Sequence, residues 1–151
     1  MRLLSLEEAL SLREGKRLVF TNGVFDILHA GHVQYLGRAR ALGDLLIVGL
    51  NSDASARSLG KGEGRPINSL EDRAMVVGAL RCVDGVVSFD EQTPEAIIQI
   101  LRPDVHVKGG DYTSSDLPET ALVKSYGGEI VILPFLQGRS TTSMLKKMGL
   151  E

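Results

Sequence analysis

The sequence predicts an α/β fold, a doubly wound five-stranded parallel sheet in a single domain. Three observations carry this. Short, continuous apolar runs of strand length recur along the chain, and segments with helical periodicity separate them. Glycine, proline or small hydroxyl residues punctuate most junctions. Strands that are apolar throughout, rather than alternately, belong to sheets covered on both faces.

Ser5, with Glu8 three positions on, has the spacing of a helix capping box. Leu6, Ala9, Leu10 and Arg13 then recur at helical intervals, so residues 1–15 form a lead-in helix that covers a sheet face. Arg17 to Thr21 is the first strand, followed by a glycine- and histidine-bearing turn and a helix ending at Gly43. Leu45 to Leu50 is the second strand. Leu59 to Asn68 is the one long irregular stretch, and Ser69 caps a helix from Leu70 to Leu80. Gly85 to Phe89 is the third strand. Thr93 and Pro94 open the next helix, Pro94 in a first turn whose N–H groups have no partner. Val105 to Lys108 is the fourth strand, Pro118 to Tyr126 a helix closed by Gly127-Gly128, and Glu129 to Leu133 the fifth strand. A last helix begins at Thr141 or Thr142. In such sheets the binding crevice lies at the carboxyl ends of the strands, which directs attention to the loops there.

Bulk properties narrow the function. At 151 residues, 43% hydrophobic and 24% charged, the chain matches one globular domain, 1–151. The 17 basic and 19 acidic residues give a formal charge of −2 and no basic field for nucleic acid, so phosphate-binding charge is local. Cys82 is the sole cysteine, which excludes an internal disulfide and a multi-thiolate zinc site and points to a reducing compartment. Glu7 and Glu8 fall where a signal peptide needs apolar residues, and no run reaches membrane-spanning length. The expected location is the cytoplasm, without a membrane partner.

Four loops carry candidate chemistry. His29 and His32 lie three apart at a helix start, with Gly31 between them. That spacing turns both imidazoles to one side of a turn whose free N–H groups attract anions. The competing reading is one histidine capping the helix and one solvated. Gly60-Lys61-Gly62-Glu63-Gly64-Arg65-Pro66 combines a mobile backbone with two cations, as in a lid over phosphates or in a glycine-tolerant surface loop. Lys108-Gly109-Gly110-Asp111-Tyr112 ends the fourth strand; Asp111 suits a sugar hydroxyl or a base edge, and Tyr112 ordinary packing. Gly138-Arg139-Ser140-Thr141-Thr142-Ser143 collects donors at a helix start, either a second anion site or a well-made cap. Arg73 follows two acids on an apolar helix and fits either a solvated face or a site residue ranked below the histidines. Phosphate loops of the Gly-x-x-x-x-Gly-Lys type, a Gly-x-Gly-x-x-Gly turn after strand one and a Gly-x-Ser-x-Gly elbow are absent from the sequence.

The string Thr21-x-Gly23-x-Phe25-Asp26-x-x-His29-x-Gly31-His32 resembles the signature of the cytidylyltransferase-like nucleotidyltransferases, and the later motifs follow in matching order from about Lys16 to the C-terminus. Thr21-Asn22-Gly23, Gly64-Arg65-Pro66, Leu70-Glu71-Asp72-Arg73, Lys108 to Tyr112 and Gly138 to Thr142 are most similar to the adenylyltransferase domains of ADP-heptose synthases. Glycerol-3-phosphate cytidylyltransferases, which use CTP, come next, and a non-catalytic nucleotide sensor is a third alternative.

The resemblance implies a Rossmann-like nucleotidyltransferase fold and transfer of AMP from ATP to a sugar 1-phosphate. D-glycero-β-D-manno-heptose 1-phosphate is the implied acceptor, with Mg2+ arriving on the triphosphate rather than held by a side-chain motif. It implies that His29 and His32 stabilise the attacked phosphate and that Lys61 grips the phosphates from the lid. Thr21 and Phe25 line the phosphate site. Asn22, Gly23, Gly31, Lys108 and Gly109 go with the nucleotide and its phosphates, as do Arg139, Ser140, Thr141 and Thr142. Asp111 faces the nucleotide, Arg73 lies near the phosphates, and Asp26 and Arg65 serve the sugar phosphate. A homodimer is the implied assembly, with a separate sugar kinase supplying the acceptor.

Overall fold

A computed structural model describes residues 3–110, 113 and 116–150. The strands are β1 (Leu18–Gly23), β2 (Leu45–Asn51), β3 (Gly85–Phe89), β4 (Val105–Gly109) and β5 (Glu129–Leu133). The helices are α1 (Leu6–Arg13), α2 (Ala30–Arg40), α3 (Asp53–Ser58), α4 (Leu70–Gly78), α5 (Glu95–Leu101), α6 (Thr120–Ser125) and α7 (Thr141–Lys147). Every strand pair is parallel, in the order β3-β2-β1-β4-β5.

Alternation along β1 explains the double winding. Val19 joins an apolar cluster with Leu36 and Ala39 of α2 and Ala74 and Val77 of α4. Leu18 and Phe20 join the opposite cluster with Ala9 of α1, Ile98 and Leu101 of α5 and Val123 of α6. Both faces of the strand are therefore dry, and each such fully buried side chain contributes about 1.5–3 kcal/mol.

The chain winds outward from β1 in both directions, so the order reverses between β1 and β4. β1 pairs with β2 all along Leu18–Gly23. With β4 the register positions are Val19 with Val105 and Phe20 with His106, after which the two strands part. Tyr35, reaching down from α2, fills the gap. Its hydroxyl lies 2.7 Å from Thr21 Oγ1 and donates to the Val107 carbonyl at 3.2 Å.

The capping box at Ser5 and Glu8 is present, but the buried face of α1 differs from expectation. Leu6 and Leu10 stay exposed, and Leu4 and Leu12 pack against the core beside Ala9. Arg13 fixes the helix by donating to the carbonyls of Leu101 and Arg102 and pairing with Asp104. Pro94 is the N-cap of α5 rather than a first-turn residue. α3 occupies a segment that shows no apolar periodicity.

Candidate active site

The loop after β1 and the first turn of α2 form the centre of the site. His29 is the N-cap of α2 in an extended conformation, its Nδ1 accepting from the Gly31 amide at 3.1 Å. His32 Nδ1 accepts from the His29 amide at 3.3 Å, completing a reciprocal capping box built from two imidazoles. The rings stack with centroids 3.9 Å apart. Capping and phosphate contact, posed by the sequence as alternatives, are thus compatible in the same pair. A Cβ on Gly31 would come within 2.8 Å of His29 Cε1 and 3.2 Å of Arg139 Cβ, so glycine is what lets the ring lie flat on the helix start.

This arrangement sets the chemistry of the pair. Burial, then the charges of His29 and Lys61, holds His32 down at about 4. Burial, then Arg139, lowers His29 as well. Both rings are neutral at pH 7. Since both Nδ1 atoms accept from backbone amides, the bonding pattern assigns both protons to Nε2. The pair is a set of uncharged N–H donors, and positive charge must come from elsewhere.

Around the histidines the backbone is shaped to admit them. Phe25 adopts a left-handed φ of 49°, uncommon for an aromatic residue, and its ring lies 5.3 Å from that of His32. A Cβ on Gly23 would meet the Phe25 ring at 2.8 Å. Asp26 faces away from catalysis in one sense: its carboxylate oxygens accept from the amides of Ile67 and Asn68, with Arg65 Nε 3.5 Å away. It therefore anchors the end of the 59–68 loop. The side-chain oxygen of Asn22 is buried without a hydrogen-bond partner at the cavity wall, an acceptor for a ligand donor.

The cavity measures about 580 Å³ and brings most expected residues together. Asn22, Gly23, Phe25, Asp26, His29, Gly31, His32, Lys61, Arg65, Lys108, Gly109, Arg139, Ser140, Thr141 and Thr142 all line it. Lys61, Arg65, Lys108 and Arg139 supply its cations. Two of the hydroxyl groups are engaged within the protein: Ser140 Oγ accepts from the Ser143 amide, and Thr141 donates to the Ile27 carbonyl, tying α7 to the histidine loop.

Two expected phosphate contacts are placed differently. Thr21 is fully buried, and its hydroxyl bonds to Tyr35, so it braces the β1–β4 split instead of lining the cavity. Arg73 is 1% exposed. Its guanidinium donates to the carbonyls of Asn68, Val24 and Asn51 and to Asp53 Oδ1 at 2.7–3.1 Å. Acceptors from four segments surround it, so it clamps the loops from inside and is neither solvated nor directed at phosphate. Asp111 and Tyr112 lie outside the described residues.

Other parts of the site were not legible. Tyr35 belongs to none of the motifs in the sequence. Phe135 is 62% exposed at the cavity, its ring set over the bare backbone of Gly109. His106 and Glu119, both buried, are bonded at 2.8 Å, His106 on the strand that also carries Lys108, although thirteen residues apart.

A parallel sheet in the 3-2-1-4-5 order, with paired imidazole donors and four cations around a cavity at its switch point, defines a Rossmann-like nucleotidyltransferase. The chain belongs to the cytidylyltransferase-like family, whose model matches residues 20–136. D-beta-D-heptose 1-phosphate adenylyltransferase of Bordetella bronchiseptica is 60% identical over 131 residues, covering 87% of this chain and 81% of that protein. Bifunctional protein HldE of Geobacter sulfurreducens is 56% identical over 135 residues, 89% of this chain but 27% of its own length. Among solved structures, the lipopolysaccharide core biosynthesis protein from Thermoplasma volcanium superposes with a TM-score of 0.68 at 28% identity, covering 83% of this chain and 100% of that one. Among the described residues no helix is long and apolar enough to cross a membrane.

Proposed function

We propose that the chain transfers AMP from ATP to D-glycero-β-D-manno-heptose 1-phosphate, yielding ADP-heptose and pyrophosphate. The observation that carries the reaction type is the stacked, neutral histidine pair with both Nε2–H groups free of the backbone. An anomeric phosphate oxygen attacks the α-phosphorus of ATP while the bond to the β-phosphate breaks. The nucleophile arrives ionised, so no proton need be removed. Developing charge on the transferred group is met by the two donors, and the departing pyrophosphate by Lys61 and Arg139. The similarity to a heptose 1-phosphate adenylyltransferase supports the choice of ATP and of sugar.

Magnesium enters this reading as the counter-ion of the triphosphate. Among the described residues no cluster of three or more His, Cys, Asp or Glu side chains is placed to cage a metal, and both Asp26 oxygens are engaged by amides. The reading also includes a homodimer, checked by light scattering, action in the cytoplasm, and a sugar kinase activity that supplies the anomeric phosphate.

The test is pyrophosphate release from ATP, Mg2+ and heptose 1-phosphate, with CTP as competitor. Silence with every nucleotide and sugar phosphate offered refutes the reaction, and a preference for CTP refutes the substrate. In the same assay His32→Ala is expected to lower turnover by about 10²-fold while binding of ATP is largely kept.

A further inference from the structure

The histidine outside the catalytic loop points to a residue that neither the motifs nor the fold explains. We propose that Glu119 is a positioning residue whose buried carboxylate, fixed by His106, holds the Lys108 ammonium at the cavity so that β4 contributes a cation to the bound triphosphate. The inference rests on the nucleotidyl-transfer reading for the identity of the ligand.

His106 and Lys108 alternate on β4 and therefore leave the sheet on the same face. Glu119 meets that face from the start of α6, its Oε1 2.8 Å from His106 Nε2, with side-chain exposures of 2% and 0%. Glu119 stands at the N-cap position of α6 and makes no side-chain cap bond. It is directed inward, into an apolar cluster where His106 lies 5.9 Å from the Phe20 ring.

Burying a carboxylate there is costly, and a pair of apolar side chains would serve packing as well or better. His106 Nδ1 has no hydrogen-bond partner. A charged imidazolium would leave an N–H stranded there, whereas a neutral ring donating from Nε2 leaves only a lone pair. A ring in that form leaves the carboxylate's charge uncancelled on the face of β4 from which Lys108 projects. Burial raises the Glu119 carboxyl, but its bonds to His106 and to its own amide, helped by the charge of Lys108, outweigh that and hold it below the usual carboxylate value. Burial depresses Lys108, Lys61 adds to the depression, and Glu119 opposes both. Among the described residues, Glu119 and Lys61 are the charged groups that act on this ammonium, and His106 bonds to Glu119.

Removing the carboxylate charge leaves Lys108 with burial and Lys61 unopposed, so it gives up its proton at a lower pH. The experiment measures binding of inorganic tripolyphosphate by calorimetry between about pH 7 and 10. This readout needs no turnover: an inactive wild type would end the catalytic reading, while the pH curves would still decide the role of Glu119. Glu119→Gln preserves the bond to His106. It is expected to bind nearly as wild type does at neutral pH and roughly tenfold more weakly at the alkaline end, the scale of one charged contact. The double variant His106→Leu with Glu119→Leu leaves no unsatisfied group and is expected to follow the same curve. Adding Lys108→Arg to Glu119→Gln restores alkaline binding, because a guanidinium stays charged. Coincident curves for wild type and the charge-removing variants overturn the proposal, as does a loss that Lys108→Arg fails to rescue.

Discussion

Replacing Tyr35 with phenylalanine tests how the site is held open. The ring keeps its packing, since only the hydroxyl is lost. That hydroxyl donates its one proton to the Val107 carbonyl and so receives the Thr21 proton, bridging β1 and β4 where their register ends. Thr21 is fully buried and Tyr35 only 7% exposed, so water does not readily replace the lost partner. Two hydrogen bonds at about 1 kcal/mol each, with part of the penalty for an unpaired buried group, amount to about 3 kcal/mol. For a chain of this size the midpoint should fall by about 9 °C, measured by circular dichroism. Thr21→Val removes the other half of the same bond, so the double variant should be less damaged than the sum of the singles, with a coupling of about 1 kcal/mol. A Tyr35→Phe midpoint within about 1 °C of wild type would refute the argument. So would additive losses, or a Thr21→Val change confined to the KM for ATP.

Gly31→Ala is expected to separate folding from function. Alanine favours the helix, but its Cβ displaces the His29 ring. Stability should stay within about 1 kcal/mol of wild type in urea unfolding while kcat/KM falls by about 10²-fold; retained activity would exclude a requirement for the ring position. Acid stability follows from His32, held at about 4 when folded against an ordinary value of 6.5. Between those values the unfolded chain takes up a proton that the folded chain refuses, so this contribution destabilises progressively as pH falls through the window and levels off below it. Urea unfolding of wild type and His32→Asn across the window should show the steeper loss in wild type; parallel curves would mean that His32 is not held neutral.

The parts of the fold that could be read ahead were those decided by local pattern. β3 and β5 begin and end as expected because continuous apolar runs meet turn residues at both ends. β1 runs on through Asn22 and Gly23, residues poor in strand propensity, because β2 offers them a continuing ladder. α3 was missed since Ser52 caps a segment, Asp53–Ser58, with no apolar stripe. The site divides in the same way. His29, His32 and Gly31 form a contiguous local motif and were legible as such. Arg73 was misread because its environment comes from Val24, Asn51, Asp53 and Asn68, which sequence distance conceals. Tyr35, on a helix, and Glu119, at a helix start, bond to partners on β1 and β4 that lie thirteen residues or more away, and nothing in their immediate neighbours announces this.

The imidazole capping box also restricts what the enzyme accepts. Each Nδ1 lone pair is occupied by a backbone amide, and the Asp26 carboxylate by two more. The two imidazoles cannot take a proton at Nδ1 from an incoming nucleophile without undoing the turn that holds them. An alcohol or a water molecule, which must be deprotonated to attack, finds no base in this turn, whereas a phosphate monoester arrives ready to react. On the proposed reading, selection of the acceptor and protection of bound ATP from wasteful hydrolysis have one origin: both nitrogens that would serve as bases are holding the helix together.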